Sequence, residues 1–274
     1  MNSYPGSCEG KVNARNIAMK AIRLLAGESV FQGSMHAYLA GKEAGDMRIA
    51  YDMGVSPNLL CAADNDPAAI LSCKQELPVP LHDRLYSSKT GFIGMMSDWR
   101  STKGWGIIFP DICKARKVGM NLLWQAIRFA RKDAILALNF TYARDREMKT
   151  REQYKQLLPD YSKSISDPRD WKPLTSACLV RQDLSVPIGG RNIHFPLAIA
   201  YGNRGEGRDK AVPMLTLIGR FSSTNEMSAP SYFIRMIGKG QSYRMVRSIH
   251  PQNDTSRLPF AFKDYMDELN VNSL

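Results

Sequence analysis

Apolar positions recur along this chain in two rhythms, one helical and one strand-like, and their alternation outlines a fold. Near the start, Ile17, Ala18, Ala21, Ile22, Leu24 and Leu25 fall on one side of a helical repeat, with Asn13 placed to cap it and Gly27 to end it. The other side carries Arg15, Lys20 and Arg23, which reads as a solvated face or as a nucleic-acid contact. From residue 30 to 135 short apolar runs alternate with helical patterns. Strands are expected at residues 35–39, 58–63, 91–96, 105–109 and 134–140, and helices at 46–53, 67–75 and 114–132. This rhythm predicts an α/β fold in which crossover helices flank a mostly parallel sheet.

After residue 144 the pattern changes. Charged residues crowd together, then Pro, Ser and Asp become frequent, so residues 144–190 read as a charged helix followed by a surface excursion. Two apolar runs follow at residues 194–201 and 212–220, joined by a glycine-rich stretch that carries Arg204, Arg208 and Lys210. They predict an antiparallel hairpin. The last stretch mixes short aromatic and basic runs and ends in a helix expected over residues 259–269. The organisation expected is an N-terminal helical extension (residues 1–29), a main domain (residues 30–222) and a basic, aromatic C-terminal extension (residues 223–274).

Composition narrows the classes. With 274 residues, 44% of them hydrophobic and 23% charged, the chain has enough apolar material for a sizeable core, which excludes disorder and small disulfide scaffolds. A net charge of +11 spread along the chain favours a polyanionic partner. The five cysteines form no Cys-x-x-Cys pair and the four histidines are scattered, so no metal site is expected; reduced, buried thiols suit a cytoplasmic setting. No apolar run approaches the roughly 20 residues that span a bilayer, and the polar start lacks the apolar segment of a signal peptide, so an intracellular protein with no membrane contact is expected.

The chemistry concentrates between residues 35 and 66. A strand-like run leads into Ala40-Gly41-Lys42-Glu43-Ala44-Gly45, a helix opens at Asp46, and the next strand ends in Ala63-Asp64. A nucleotide cofactor needs a glycine turn that backbone can bring close to it, and a carboxylate about 20 residues on to accept hydrogen bonds from ribose hydroxyls; Gly41, Gly45 and Asp64 satisfy that spacing. Asp64 and the nearby Asp66 are equally suited to capping the helix that begins at Pro67. Further polar residues fall where strands should end: Ser97-Asp98-Trp99 after the third, Phe109-Pro110-Asp111 after the fourth, Asn139-Phe140-Thr141-Tyr142 after the fifth. Asp98 also suits an ordinary turn, and Asp111 the cap of the helix expected to follow.

In this order of glycine turn, strand-end acids and closing hairpin, the sequence resembles the Rossmann-like S-adenosylmethionine-dependent methyltransferases, in particular divergent members of the kind found in phages and mobile elements. The resemblance spans residues 30–221. It implies S-adenosylmethionine as cofactor, with Gly41 and Gly45 forming the cofactor turn, Asp64 binding the ribose, Asp98 and Trp99 covering the adenine, and Asp111 beside the transferred methyl group. No Asn-Pro-Pro-Tyr or Asp-Pro-Pro-Tyr follows the fourth strand and no Pro-Cys nucleophile is present, so no motif specifies the methyl acceptor.

Cations interleaved with aromatic residues suit phosphates and unpaired bases, and on that ground Arg204, Arg208 and Lys210 of the hairpin loop and Arg235, Arg244 and Arg247 of the tail are candidate nucleic-acid contacts. Solvated arginines on an ordinary strand pair explain the same tail pattern. Three readings stay open: a methyltransferase-like protein acting on or binding nucleic acid, a non-catalytic scaffold or viral structural protein that keeps the fold, and an enzyme using a dinucleotide or nucleotide sugar.

Overall fold

A computed structural model describes residues 9–41, 43–87, 89, 91–99, 104–142, 167–183, 192–203, 212–222, 230–237, 242–247, 255 and 258–273. Among these residues ten strands form one sheet in the order β10-β9-β7-β8-β6-β4-β1-β2-β3, with β5 added beside β6. They are β1 (Met35–Leu39), β2 (Leu60–Asp64), β3 (Leu85–Ser87), β4 (Trp105–Phe109), β5 (Asp111–Ala115), β6 (Ala130–Thr141), β7 (Asn192–Asn203), β8 (Val212–Ser222), β9 (Tyr232–Ile237) and β10 (Ser242–Arg247). The helices are α1 (Glu9–Ala26), α2 (Glu28–Gly33), α3 (Gly45–Asp52), α4 (Pro67–Glu76), α5 (Gly91–Asp98), α6 (Arg116–Ala126), α7 (Trp171–Asp183) and α8 (Phe260–Val271).

Strands β3, β2, β1, β4 and β6 run parallel, and β8 is antiparallel to both β6 and β7. This is the expected α/β architecture with its antiparallel hairpin, and Ala198 pairs with Leu217 and Tyr201 with Met214 as that hairpin requires. Pro213 is tolerated because it stands at the second residue of β8. The hairpin does not end the sheet, however. Residues 223–274, expected as an extension, supply β9, which pairs parallel with β7, and β10, which pairs antiparallel with β9.

Successive residues of the strands point to opposite faces, and both faces are buried. Leu60, Ala62, Ile107, Ile135 and Ile199 pack with Ile17, Ala18 and Ile22 of α1, Met47 of α3 and Phe262 of α8. Cys61, Ala63, Ile108, Leu136 and Ala198 pack instead with Met95 of α5, Leu123 of α6 and Leu174 of α7. Helix α1 begins at Glu9, upstream of the cap expected at Asn13, and ends where Gly27 takes φ 73°.

One predicted strand is a helix. Residues 91–96 open α5, because Phe92, Met95 and Met96 recur at the spacing of one helical face and bury it. The third strand is instead Leu85–Ser87, too short for a period-two pattern to register. The long helix expected at 114–132 stops at Ala126, and the chain enters β6 at Ala130. No helix among the described residues is long and apolar enough to cross a membrane.

Candidate functional site

The chain runs outward from β1 through β2 to β3 and then crosses back to β4, so the direction of winding reverses between β1 and β4. Connections leave opposite faces there and open a crevice at the carboxyl ends of the strands. A cavity of about 550 Å³ occupies that place, bounded by Leu39, Gly41, Asp64, Gly91, Asp111 and the α6 residues Val118, Asn121 and Leu122.

Gly41 takes φ 52°, and a Cβ built on it meets nothing within 4 Å. The left-handed turn thus leaves room beside the backbone at the cavity wall. The N–H of Gly41 donates to Asp64 Oδ2 at 3.1 Å and that of Asp66 to Asp64 Oδ1 at 2.9 Å. The capping role falls to Asp66, whose Oδ1 accepts from the Ala68 N–H at 2.9 Å at the start of α4. Asp64 therefore ties the glycine turn to the end of β2, and each of its oxygens keeps a lone pair for a further donor.

Beside the turn lies a buried ionic cluster that the sequence pattern did not announce. Arg15 is not on a solvated face. Its Nη2 donates to Asp111 Oδ2 at 2.7 Å, while Nε stands 3.3 Å from Asp46 and Nη1 3.8 Å from Glu43. The absence of a side chain at Gly45 makes room for this arginine, because a Cβ there would sit 2.5 Å from Arg15 Nη1. Asn139 of β6 donates one amide hydrogen to the other Asp111 oxygen and the second to Tyr201 Oη at 2.9 Å, and its carbonyl accepts from Thr216 Oγ1 at 3.1 Å. Helix α6 starts at Arg116 behind Ala115, so Asp111 caps nothing.

Burial pushes the Asp46 carboxyl up to about 6, against the pull of Arg15, and the neighbouring Asp111 adds to the rise. Burial acts on Asp111 in the same sense, but Arg15, Lys11 and the Asn139 amide outweigh it and hold this carboxyl below its ordinary value. Burial alone would also weaken the charge on Arg15; the two aspartates reverse that and fix it as a cation. Of the two carboxylates on one guanidinium, Asp111 at the cavity is the harder to protonate.

The cavity brings together Gly41, Asp64 and Asp111 and leaves out Asp98 and Trp99. Those two stand at the far end of α5, where Asp98 accepts from the Tyr86 hydroxyl and Trp99 packs edge-on against the Tyr86 ring, with the Arg84 guanidinium 4.9 Å from its own. The misplacement follows from reading α5 as a strand: the real β3 ends in Ser87, with no acid. Arg204, Arg208 and Lys210 lie outside the described residues. Arg235 pairs with Asp167 and Asp170, Arg244 stands 3.7 Å from Asp170, and Arg247 pairs with Asp267. The tail cations are thus engaged within the chain. His36 is held in the core by Tyr38 and the Phe31 carbonyl, where burial lowers it to about 4, and burial pushes the Cys61 thiol up to about 12. Neither group is poised to react. No cluster of metal ligands occurs among the described residues.

Compared by sequence, the chain matches no protein-family model and no curated protein. Its fold is similar to that of a type I restriction-modification system methyltransferase subunit from Streptococcus thermophilus, at 11% identity and a TM-score of 0.47, over 98% of this chain and 59% of that one. It is also similar to an O-methyltransferase from Bacillus cereus in complex with SAH, at 12% identity and a TM-score of 0.39, over 76% and 87% of the two chains. A third is fibrillarin from Aeropyrum pernix with natively bound S-adenosyl-L-methionine, at 13% identity and a TM-score of 0.38, over 75% and 76%. At such identities the likeness concerns the arrangement of strands and helices.

Proposed function

We propose that the cavity at the β1/β4 crossover binds S-adenosylmethionine and that the protein acts on or binds nucleic acid. The observation that carries the cofactor reading is the Gly41–Asp64 pair: a backbone turn with open space beside it, joined to a carboxylate that retains acceptor capacity for a ribose diol. Those residues fit the group, and Gly41 and Asp64 would hold it. Bound there, S-adenosylmethionine supplies an electrophilic methyl group. The chain's own contribution is to keep Asp111 ionised and fixed between Arg15 and Asn139, so that a defined negative charge faces the cavity without side-chain reorganisation. Nucleic acid as partner draws on the net charge of +11.

A second reading, a binding scaffold without transfer, draws on the same residue: both Asp111 oxygens are engaged by Arg15 and Asn139, which suits a structural role. Thermal unfolding with S-adenosylmethionine, S-adenosylhomocysteine and NAD separates the readings. The expected outcome is stabilisation of about 2.7 kcal/mol at 100 times the dissociation constant for the first two and none for NAD. A response to NAD alone would move the protein to the dinucleotide enzymes, and a response to none would leave the scaffold. Methyl transfer from labelled cofactor to bulk RNA or DNA then distinguishes enzyme from binder.

A further inference from the structure

Arg235, Arg244 and Arg247 already face Asp167, Asp170 and Asp267, so cations without a carboxylate neighbour are better placed to meet a polyanion. Two stand at the cavity mouth. Lys89, between β3 and α5, and Lys114, just before α6, both border the cavity and are exposed, and neither has a carboxylate partner among the described residues. Beside them α6 turns Val118, Asn121, Leu122 and Gln125 to the same opening, and Val118 is 47% exposed. The cavity wall also holds Asp64 and Asp111. The Asp111 side chain is 8% exposed and matched by Arg15, and the half-buried Asp64 is engaged by two backbone N–H groups, so the negative charge is compensated within the chain while the two lysines are exposed and unmatched among the described residues.

We infer that a single strand of nucleic acid crosses this mouth, with phosphates on Lys89 and Lys114 and an unpaired nucleoside against the Val118–Leu122 face of α6. This deepens the proposed function and rests on it, since it names how the partner reaches the cofactor cavity. The charge order selects the class: a phosphodiester chain is held by the rim lysines and kept off the carboxylates within. The aliphatic and amide face of α6 selects the form. Apolar surface meets the faces of bases that are out of a duplex stack, and the Asn121 and Gln125 amides offer both donors and acceptors.

The test is fluorescence anisotropy of the full chain with a labelled single-stranded oligonucleotide of about 12 nucleotides, within the usual site sizes, over a range of salt. The variants are the K89Q/K114Q double substitution and R247Q. The double substitution should weaken binding and flatten the slope of log affinity against log salt by about 1.4, at roughly 0.7 per lost phosphate contact on a single strand, with unchanged thermal unfolding. R247Q should leave the slope as it is. An unaltered slope in K89Q/K114Q, a duplex bound as tightly as the single strand, or no oligonucleotide binding at all would each overturn the inference. Calorimetry with S-adenosylmethionine separates this from the underlying reading: cofactor binding retained in parent and double variant with an unaltered slope sinks the rim alone, whereas no cofactor binding by the parent sinks the cavity assignment.

Discussion

Arg15 in the first helix donates to Asp111 at 2.7 Å across 96 residues of chain, and this contact joins α1 to the carboxyl edge of the sheet where the cavity opens. Because Asp46 is buried and the Asp111 side chain is only 8% exposed, Arg15→Ala would leave two carboxylates without their guanidinium partner. The expected loss is about 3–5 kcal/mol in urea unfolding. Gly45→Ala should cost about 1–3 kcal/mol by displacing the guanidinium, and the double variant should lose less than the sum, since both act on one cluster. Additive losses would show that the two positions are independent.

Asp46 sets a pH dependence of opposite sign to that of Asp111. With its folded value raised to about 6, above the roughly 3.9 of an unfolded aspartate, the folded protein binds this proton more tightly than the unfolded chain. Its contribution is therefore fully favourable below about pH 4 and is lost as pH rises through about 6. Asp111, held below its ordinary value, contributes stability that is present at neutral pH and lost on strong acidification. Unfolding free energies measured across this range should fall by up to about 3 kcal/mol from the Asp46 site as pH rises. In Asp46→Asn that slope should flatten; an unchanged slope would assign it to another group.

The two aspartates after β2 have separable roles. Asp64→Ala should weaken S-adenosylmethionine by about 1.5–3 kcal/mol in calorimetry, the range for hydrogen bonds to a charged group. Asp66→Ala should leave that affinity alone and cost about 1 kcal/mol of stability, because it removes the α4 cap. Equal affinities for parent and Asp64→Ala would remove Asp64 from the site.

Arg235 is a structural residue by its contacts. Asp170, one of its two carboxylate partners, is fully buried, so Arg235→Ala should destabilise by about 3 kcal/mol in thermal or urea unfolding. Oligonucleotide affinity of the folded variant should match the parent's. A stable variant with weakened nucleic-acid binding would return Arg235 to the recognition surface.

The local pattern of the chain determined the α/β class, β1, β2, β4, the β7–β8 hairpin and the glycine turn with Asp64, because each is specified by neighbours in sequence: apolar runs of strand length, turn residues between them, a carboxylate at a fixed interval. The apolar run at Phe92–Met96 resolves differently, since a short buried run satisfies strand and helix alike until a neighbouring layer decides which face it must cover. Trp99 and Asp98 moved away from the cavity with that one change. Only the tertiary structure decided the ionic cluster. Arg15, Glu43, Asp46, Asp111 and Asn139 come from α1, the glycine turn, α3, β5 and β6, and nothing local marks an arginine on an amphipathic helix as buried. Its charge is tolerated inside because carboxylates from distant segments meet it there, and that compensation exists only once the sheet has brought those segments together. The same holds for the tail arginines: their composition suits phosphate, but folding places Asp167, Asp170 and Asp267 beside them first.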